Sequence, residues 1–236
     1  MRSKLWWVLV WGLGVWLGGC FGDGGGRASL GPSQLSSAPG EQALVSYLKA
    51  SHQYALNAKN GPDTYTIQYS NLPNAGTTTF EGNAPAYSST DTIALSKNGV
   101  LVATNVATSY YLLNPYVPLG QVSSTGTPYA VVTSSFPVPT TLIIGNAGPV
   151  DNLTYYHDSS KLVMDATATA TYAVIANDST TLLFCLDTTI SGVTTQGTAD
   201  GLADGSETDC YTVDASGDAT LVSITLAAGG TTLKFQ

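Results

Sequence analysis

The stretch Asp63-Thr64-Tyr65-Thr66-Ile67-Gln68-Tyr69-Ser70 decides the fold class. Tyr65, Ile67 and Tyr69 alternate with Thr64, Thr66, Gln68 and Ser70, a period of two. That period belongs to a strand with one face buried and one face in water. Working outward, Ser88 to Lys97 and Val100 to Val106 flank Asn98-Gly99. An Asn-Gly pair between alternating segments is the strongest short hairpin signal, because both residues tolerate positive φ. On the other side, His52 to Ala58 precedes the turn residues Lys59-Asn60-Gly61-Pro62.

The pattern continues to the C-terminus. Strands are expected at Ser109–Leu113, Ala130–Thr133, Thr140–Ile144, Leu153–His157, Thr167–Ala176 and Thr180–Thr188, then at Asp209–Val213, Ala219–Leu226 and Thr231–Phe235. Pro115 and Pro118 within Asn114–Gly120 forbid a central strand there. Only Glu41 to Lys49 carries a helical pattern, with Leu44, Val45 and Leu48 on one face. The expected fold is mainly β: an antiparallel β-sandwich or barrel-like domain with one short N-terminal helix. It occupies residues 42–236, and Gly145–Pro149 offers a place for a subdomain break.

Ahead of this domain, Met1-Arg2-Ser3-Lys4 and an apolar run from Leu5 to Trp16 have the plan of a secretory signal. The run is too short for a bilayer span, which needs roughly 20 residues. It ends in Leu17-Gly18-Gly19-Cys20, which resembles the lipobox of bacterial lipoproteins. The resemblance implies cleavage after residue 19 and acyl chains on Cys20. Phe21, rather than Asp, implies the outer membrane as the destination. Residues 20–41, rich in Gly, Ser and Pro, read as a flexible tether. Within the domain, Tyr111–Gly120 and Asp209–Asp214 resemble pieces of uncharacterised outer-membrane lipoproteins, and that likeness implies no activity and no functional residue.

After Cys20 the chain keeps all sixteen acids against six bases. Eleven of those acids lie from Asp151 onward, with Lys161 and Lys234 as the only bases there. An acidic body disfavours nucleic acid, where basic patches supply affinity. The expected partners are membrane lipid through Cys20 and an envelope protein or polysaccharide. Cys185 and Cys210 are an even pair in an oxidising compartment, so a disulfide is expected.

Candidate chemistry is sparse. The acidic segment at 200–209 supplies Asp200, Asp204, Glu207 and Asp209 as calcium candidates. Calcium wants six to eight oxygens, and the spacing does not match a helix–loop–helix site, so a solvated loop is the expected reading. Tyr155-Tyr156-His157-Asp158-Ser159-Ser160 gathers a histidine, a carboxylate and two hydroxyls. Neighbours along a strand point to opposite faces, which argues against a triad. Asn152 and Asn177 fit the glycosylation acceptor pattern and read as turns. No catalytic residue and no cofactor are expected. The leading expectation is a non-enzymatic binding or scaffolding module of the envelope. The alternatives are a lipid or lipoprotein carrier with an apolar groove and a hydrolase of envelope polymers.

Overall fold

The computed structural model describes residues 35–236. The expected signal segment, Cys20 and the expected tether up to residue 34 lie outside the described residues. The elements run in the order β1 (Ser37–Pro39), α1 (Glu41–Leu48), β2 (His52–Asn60), β3 (Asp63–Pro73), β4 (Thr78–Phe80), β5 (Asn83–Lys97), β6 (Val100–Leu113) and β7 (Tyr116–Ser123). They continue with β8 (Tyr129–Ser135), β9 (Thr141–Ile143), β10 (Ala147–Tyr156), β11 (Met164–Ala176) and β12 (Thr181–Ser191), then α2 (Thr195–Ala199), β13 (Gly205–Asp214), β14 (Ala219–Ala228) and β15 (Thr231–Phe235).

Twelve of these strands form one antiparallel meander in the order β2-β3-β5-β6-β7-β8-β10-β11-β12-β13-β14-β15. Its two ends meet. The Asn57 amide donates to the Gln236 carbonyl at 3.1 Å, and the Gln236 amide donates back to Asn57 at 3.0 Å. The sheet therefore curls almost into a closed up-and-down barrel, which removes most of its unpaired edge. The Asn98-Gly99 turn holds φ values of 50° and 79°, and it joins β5 to β6 as the sequence predicts.

Alternation sorts each strand into an inner and an outer face. On β11, Ala166, Ala168 and Ala170 are buried while Thr167 and Thr169 are exposed. On β3, Ile67, Tyr69 and Asn71 are buried while Gln68 and Leu72 are exposed. Threonine and serine recur on the outer faces of β3, β5 and β11.

Twelve strands enclose more space than an eight-stranded barrel, whose lumen side chains alone can fill. Here α1 enters one mouth. Its Ala43, Leu44 and Leu48 pack against inward-facing Tyr111, Leu113, Phe184, Leu186 and Val213. Away from α1, Ile67, Leu95, Leu226, Leu233 and Phe235 form a second apolar cluster, and Leu153, Tyr155, Ala168, Ile190 and Leu202 a third. The β4–β5 arm folds over the outside, where Phe80 stacks on Tyr110 with ring centroids 4.3 Å apart.

Four expectations are corrected. The first concerns Asn114–Gly120, where a strand, β7, runs through Pro118. The pairing slips at that point: Tyr110 faces Gly120, and Tyr111 faces Pro118. A bulge accepts a residue without an N–H, so the proline is tolerated in a central strand. Gly120 completes the device at φ +148°, where a Cβ would come within 2.2 Å of the Ala130 carbonyl oxygen.

The second correction concerns 145–149. Ala147, Gly148 and Pro149 lie inside β10, opposite Ala173, Tyr172 and Thr171, so no subdomain break falls there. The third is that Ser37–Pro39, at the end of the expected tether, pairs with β9, and Ala38 is buried. The fourth is that Asn152 sits in β10 rather than in a turn, donating to the Ser134 hydroxyl at 2.7 Å.

Candidate functional site

Strand geometry puts a girdle of polar side chains inside the barrel, beneath α1. Asp91 on β5 shares its face with Ile93 and Leu95, so the strand that buries them buries it too. Glu207 and Asp209 on β13 share a face with Val213 and point inward for the same reason. Asn71, Ser89, Ser109, Gln121, Asp151 and Thr188 are further buried polar residues.

Asp91 is fully engaged. Its Oδ1 accepts from the Tyr69 hydroxyl at 3.0 Å and the Asn71 amide at 2.8 Å. Its Oδ2 accepts from Ser109 at 2.9 Å. Burial still lifts its pKa to about 6, because three neutral donors only partly replace water.

Asp209 and Glu207 differ. Asp209 Oδ1 and Glu207 Oε1 are buried and accept no hydrogen bond. Burial, then the charges of Asp187 and Asp91, pushes Asp209 up to about 8. Burial, then Asp209 and Asp187, holds Glu207 well above the usual carboxylate range. Asp151, also buried and without donors, is raised by burial alone.

A cavity of about 60 Å³ opens between α1 and this girdle. Asn71, Asp91, Glu207 and Asp209 line it, together with Leu44, Leu48, Leu186 and Val213. Tyr69, Tyr111, Tyr211 and Phe184 supply aromatic walls. The Asn71 Oδ1 atom also lacks a partner. Beside the cavity the rings of Tyr47 and His52 stack at 3.9 Å, and the His52 Nε2 lies 2.9 Å from the Tyr47 carbonyl oxygen. The N-terminus of α1 is held by its neighbours. The Glu41 amide donates to Pro139 O at 3.0 Å, and Glu41 Oε1 accepts from the Tyr116 amide at 2.8 Å.

The four calcium candidates do not converge. Asp200 caps α2 and pairs with His157, its Oδ2 at 2.7 Å from Nδ1. Asp204 accepts from the Val193 amide at 3.1 Å. Glu207 and Asp209 face the lumen instead of solvent, so half of the expected acidic loop is inner barrel wall. Among the described residues, no group of three His, Cys, Asp or Glu is placed to hold a metal.

His157 does not use its sequence neighbours. The Asp158 carboxylate accepts from the Ser160 amide at 2.8 Å, closing a local turn. His157 finds Asp200 and Gln196 instead, and Asp200 raises its pKa. Asp165, buried close by, is lifted to about 6 by burial and then by the charge of Asp200.

Cys185 and Cys210 are joined on the outer face, as directly opposed residues of β12 and β13 with Cα atoms 4.0 Å apart. They line a shallow outer groove of about 610 Å³, with Asp187, Thr171, Thr208 and Thr225. Burial raises Asp187 to about 6, and Thr208 pulls it partly back.

Comparison with family models, with curated proteins and with solved structures finds no match for the chain.

Proposed function

We propose that the chain is a lipid-tethered envelope protein of the outer membrane whose barrel is a non-enzymatic binding module for a small ligand in its lumen. The observation that carries this reading is the lumenal cavity itself. Buried polar atoms with no protein partner cost free energy unless something else satisfies them. Five such atoms, on Tyr47, Asn71, Ser89, Glu207 and Asp209, line one space beneath α1. That concentration is what a preformed ligand site looks like before its ligand is counted. The tether rests on the resemblance at Leu17–Cys20.

The carrier alternative is less well supported. The cavity has room for roughly four to six water-sized groups, far fewer than an acyl chain requires. The hydrolase alternative needs a nucleophile beside a base, and His157 meets Asp200 and Gln196 rather than Ser159 or Ser160.

The test has two arms. In cells, Cys20→Ser should abolish palmitate labelling and release the protein from membranes; labelling that survives would remove the tether. On the purified full chain, fragments of varied charge are screened by thermal shift. Ser89→Leu projects bulk into the cavity and should abolish any stabilisation the native chain shows. Stabilisation that is unchanged in Ser89→Leu would place the ligand elsewhere, for which the outer groove around Asp187 is the next place to look.

A further inference from the structure

We infer that the lumenal cavity is a site for a small primary ammonium ion, held by Glu207 and Asp209 on β13. The inference rests on the reading of the lumen as a ligand site and names the class of ligand.

The charge of the lining comes first. Asp91, Glu207 and Asp209 face the cavity, and no Lys, Arg or His lines it. An anion entering this space would meet buried carboxyl groups and no cation. A cation supplies the partner that Glu207 and Asp209 lack.

Stoichiometry of donors comes second. A primary ammonium group carries three N–H donors and no acceptor. Five lining atoms are unmatched by protein: the Tyr47 and Ser89 hydroxyls can donate or accept, and three others, Glu207 Oε1, Asp209 Oδ1 and Asn71 Oδ1, accept from an ammonium. Glu207 and Asp209 are each only 7% exposed, and Asn71 2%, so bulk water does not compensate them.

The rest of the lining suits an alkyl stem. Leu48, Leu186 and Val213 offer apolar contact, and Tyr69 and Tyr211 add aromatic surface to the lining. A hard metal ion fits less well, since calcium takes six to eight oxygens in one cluster. The volume of about 60 Å³ accepts an ammonium of roughly four to six heavy atoms, at about one probe-sized group per 10–15 Å³.

The experiment uses the full chain in non-ionic detergent at about pH 8.5, followed by calorimetric titration and thermal unfolding. The probes are n-butylammonium, butan-1-ol, butyrate, tetramethylammonium and calcium chloride. n-Butylammonium is expected to bind and raise Tm, while butan-1-ol, butyrate and tetramethylammonium leave both unchanged. Asp209→Asn and Glu207→Gln should each weaken n-butylammonium by about tenfold or more while the barrel stays folded. Asp187→Asn, which alters the outer side of the same wall, should bind at least as tightly as the native chain.

Equal binding of butan-1-ol and n-butylammonium would overturn the inference and leave the lumen standing as a neutral small-ligand site. Binding of calcium alone would overturn it in favour of a metal. If no probe binds and the Ser89→Leu variant is simply more stable, the cavity holds only water, and the binding reading falls with the inference.

Discussion

Asp91 and Asp209 stand on opposite walls of one cavity, and the protein treats them oppositely. Both carboxyl groups are buried. Asp91 receives three hydrogen bonds from β3 and β6, so its position and hydration are supplied by the fold. Asp209 receives none at Oδ1, and its neighbour Glu207 receives none at Oε1. In one cavity, two carboxyl groups each keep an oxygen without a donor while a third has three donors. The contrast separates a structural carboxylate, which organises its strands, from a pair for which we propose a partner outside the chain. Each experiment below presses on that contrast.

The largest effect is expected on the satisfied wall. Asp91→Ala strands the Tyr69 hydroxyl, the Asn71 amide and the Ser109 hydroxyl in the interior. Buried donors left bare, together with the lost charge-assisted bonds, cost about 3–5 kcal/mol. Thermal unfolding should show Tm falling by about 10 °C. A variant as stable as the native chain would mean that water already serves those donors, and the contrast would vanish.

Next comes the clamp behind the other wall. Cys185–Cys210 ties β12 to β13 from outside, across a separation of 25 residues. Cys185→Ser should cost about 3.5 kcal/mol if constraint of the unfolded chain dominates. Cys210→Ser should match it within error, since either change removes the same bond. A clear difference between the two would point to packing on the outer wall rather than the bridge.

Much of this was legible in the sequence, and the parts that were not share a cause. The helix, the Asn98-Gly99 hairpin and Thr231–Phe235 follow from local periodicity and turn chemistry, which act over a few residues. The closure between Asn57 and Gln236 does not, because it joins positions nearly a whole domain apart. β7 was missed because Pro118 reads as a breaker unless the partner strand slips to receive it. The girdle was half visible. Ser89-Thr90-Asp91-Thr92-Ile93-Ala94-Leu95 places Asp91 on the face of Ile93 and Leu95, and Asp209-Cys210-Tyr211-Thr212-Val213 does the same for Asp209. Reading the acids at 200–209 as one loop hid that alternation. What no periodicity carries is which inward carboxyl finds donors, since those come from strands far away in the chain.

The pH dependence tests the unsatisfied wall. In the unfolded chain an aspartate gives up its proton near its ordinary value of 3.8, whereas folded Asp209 keeps it up to about 8. Between those values the folded state binds more protons, so the contribution of Asp209 to stability is full below about pH 4 and falls as pH rises toward 8. Asp91 adds to the fall only up to about pH 6. The ligand-free barrel should therefore have a higher Tm near pH 5 than near pH 8. Asp209→Asn should flatten the upper part of that slope and gain about 1–3 kcal/mol near pH 8, since a neutral amide escapes the burial penalty of a charge. A slope that is unchanged in Asp209→Asn would assign the proton uptake to Glu207 or Asp151.

The smallest effect reaches Asp209 through the wall. Asp187 lies on the outer face of β12, and its charge is one of the causes that raise Asp209 and Glu207 inside. Asp187 itself is held up to about 6 by burial, so it is charged only above that pH. Asp187→Asn should do little to the slope below about pH 6. Above it, Asp209 loses a repulsive neighbour, its pKa falls toward the ordinary value, and Tm should level off at a lower pH than in the native chain. The cavity and the disulfide are untouched, so a shift confined to the upper limb isolates the electrostatic link between groove and lumen. An upper limb that does not move would mean that solvent in the groove screens Asp187, and burial alone would then account for the raised carboxyl groups of β13.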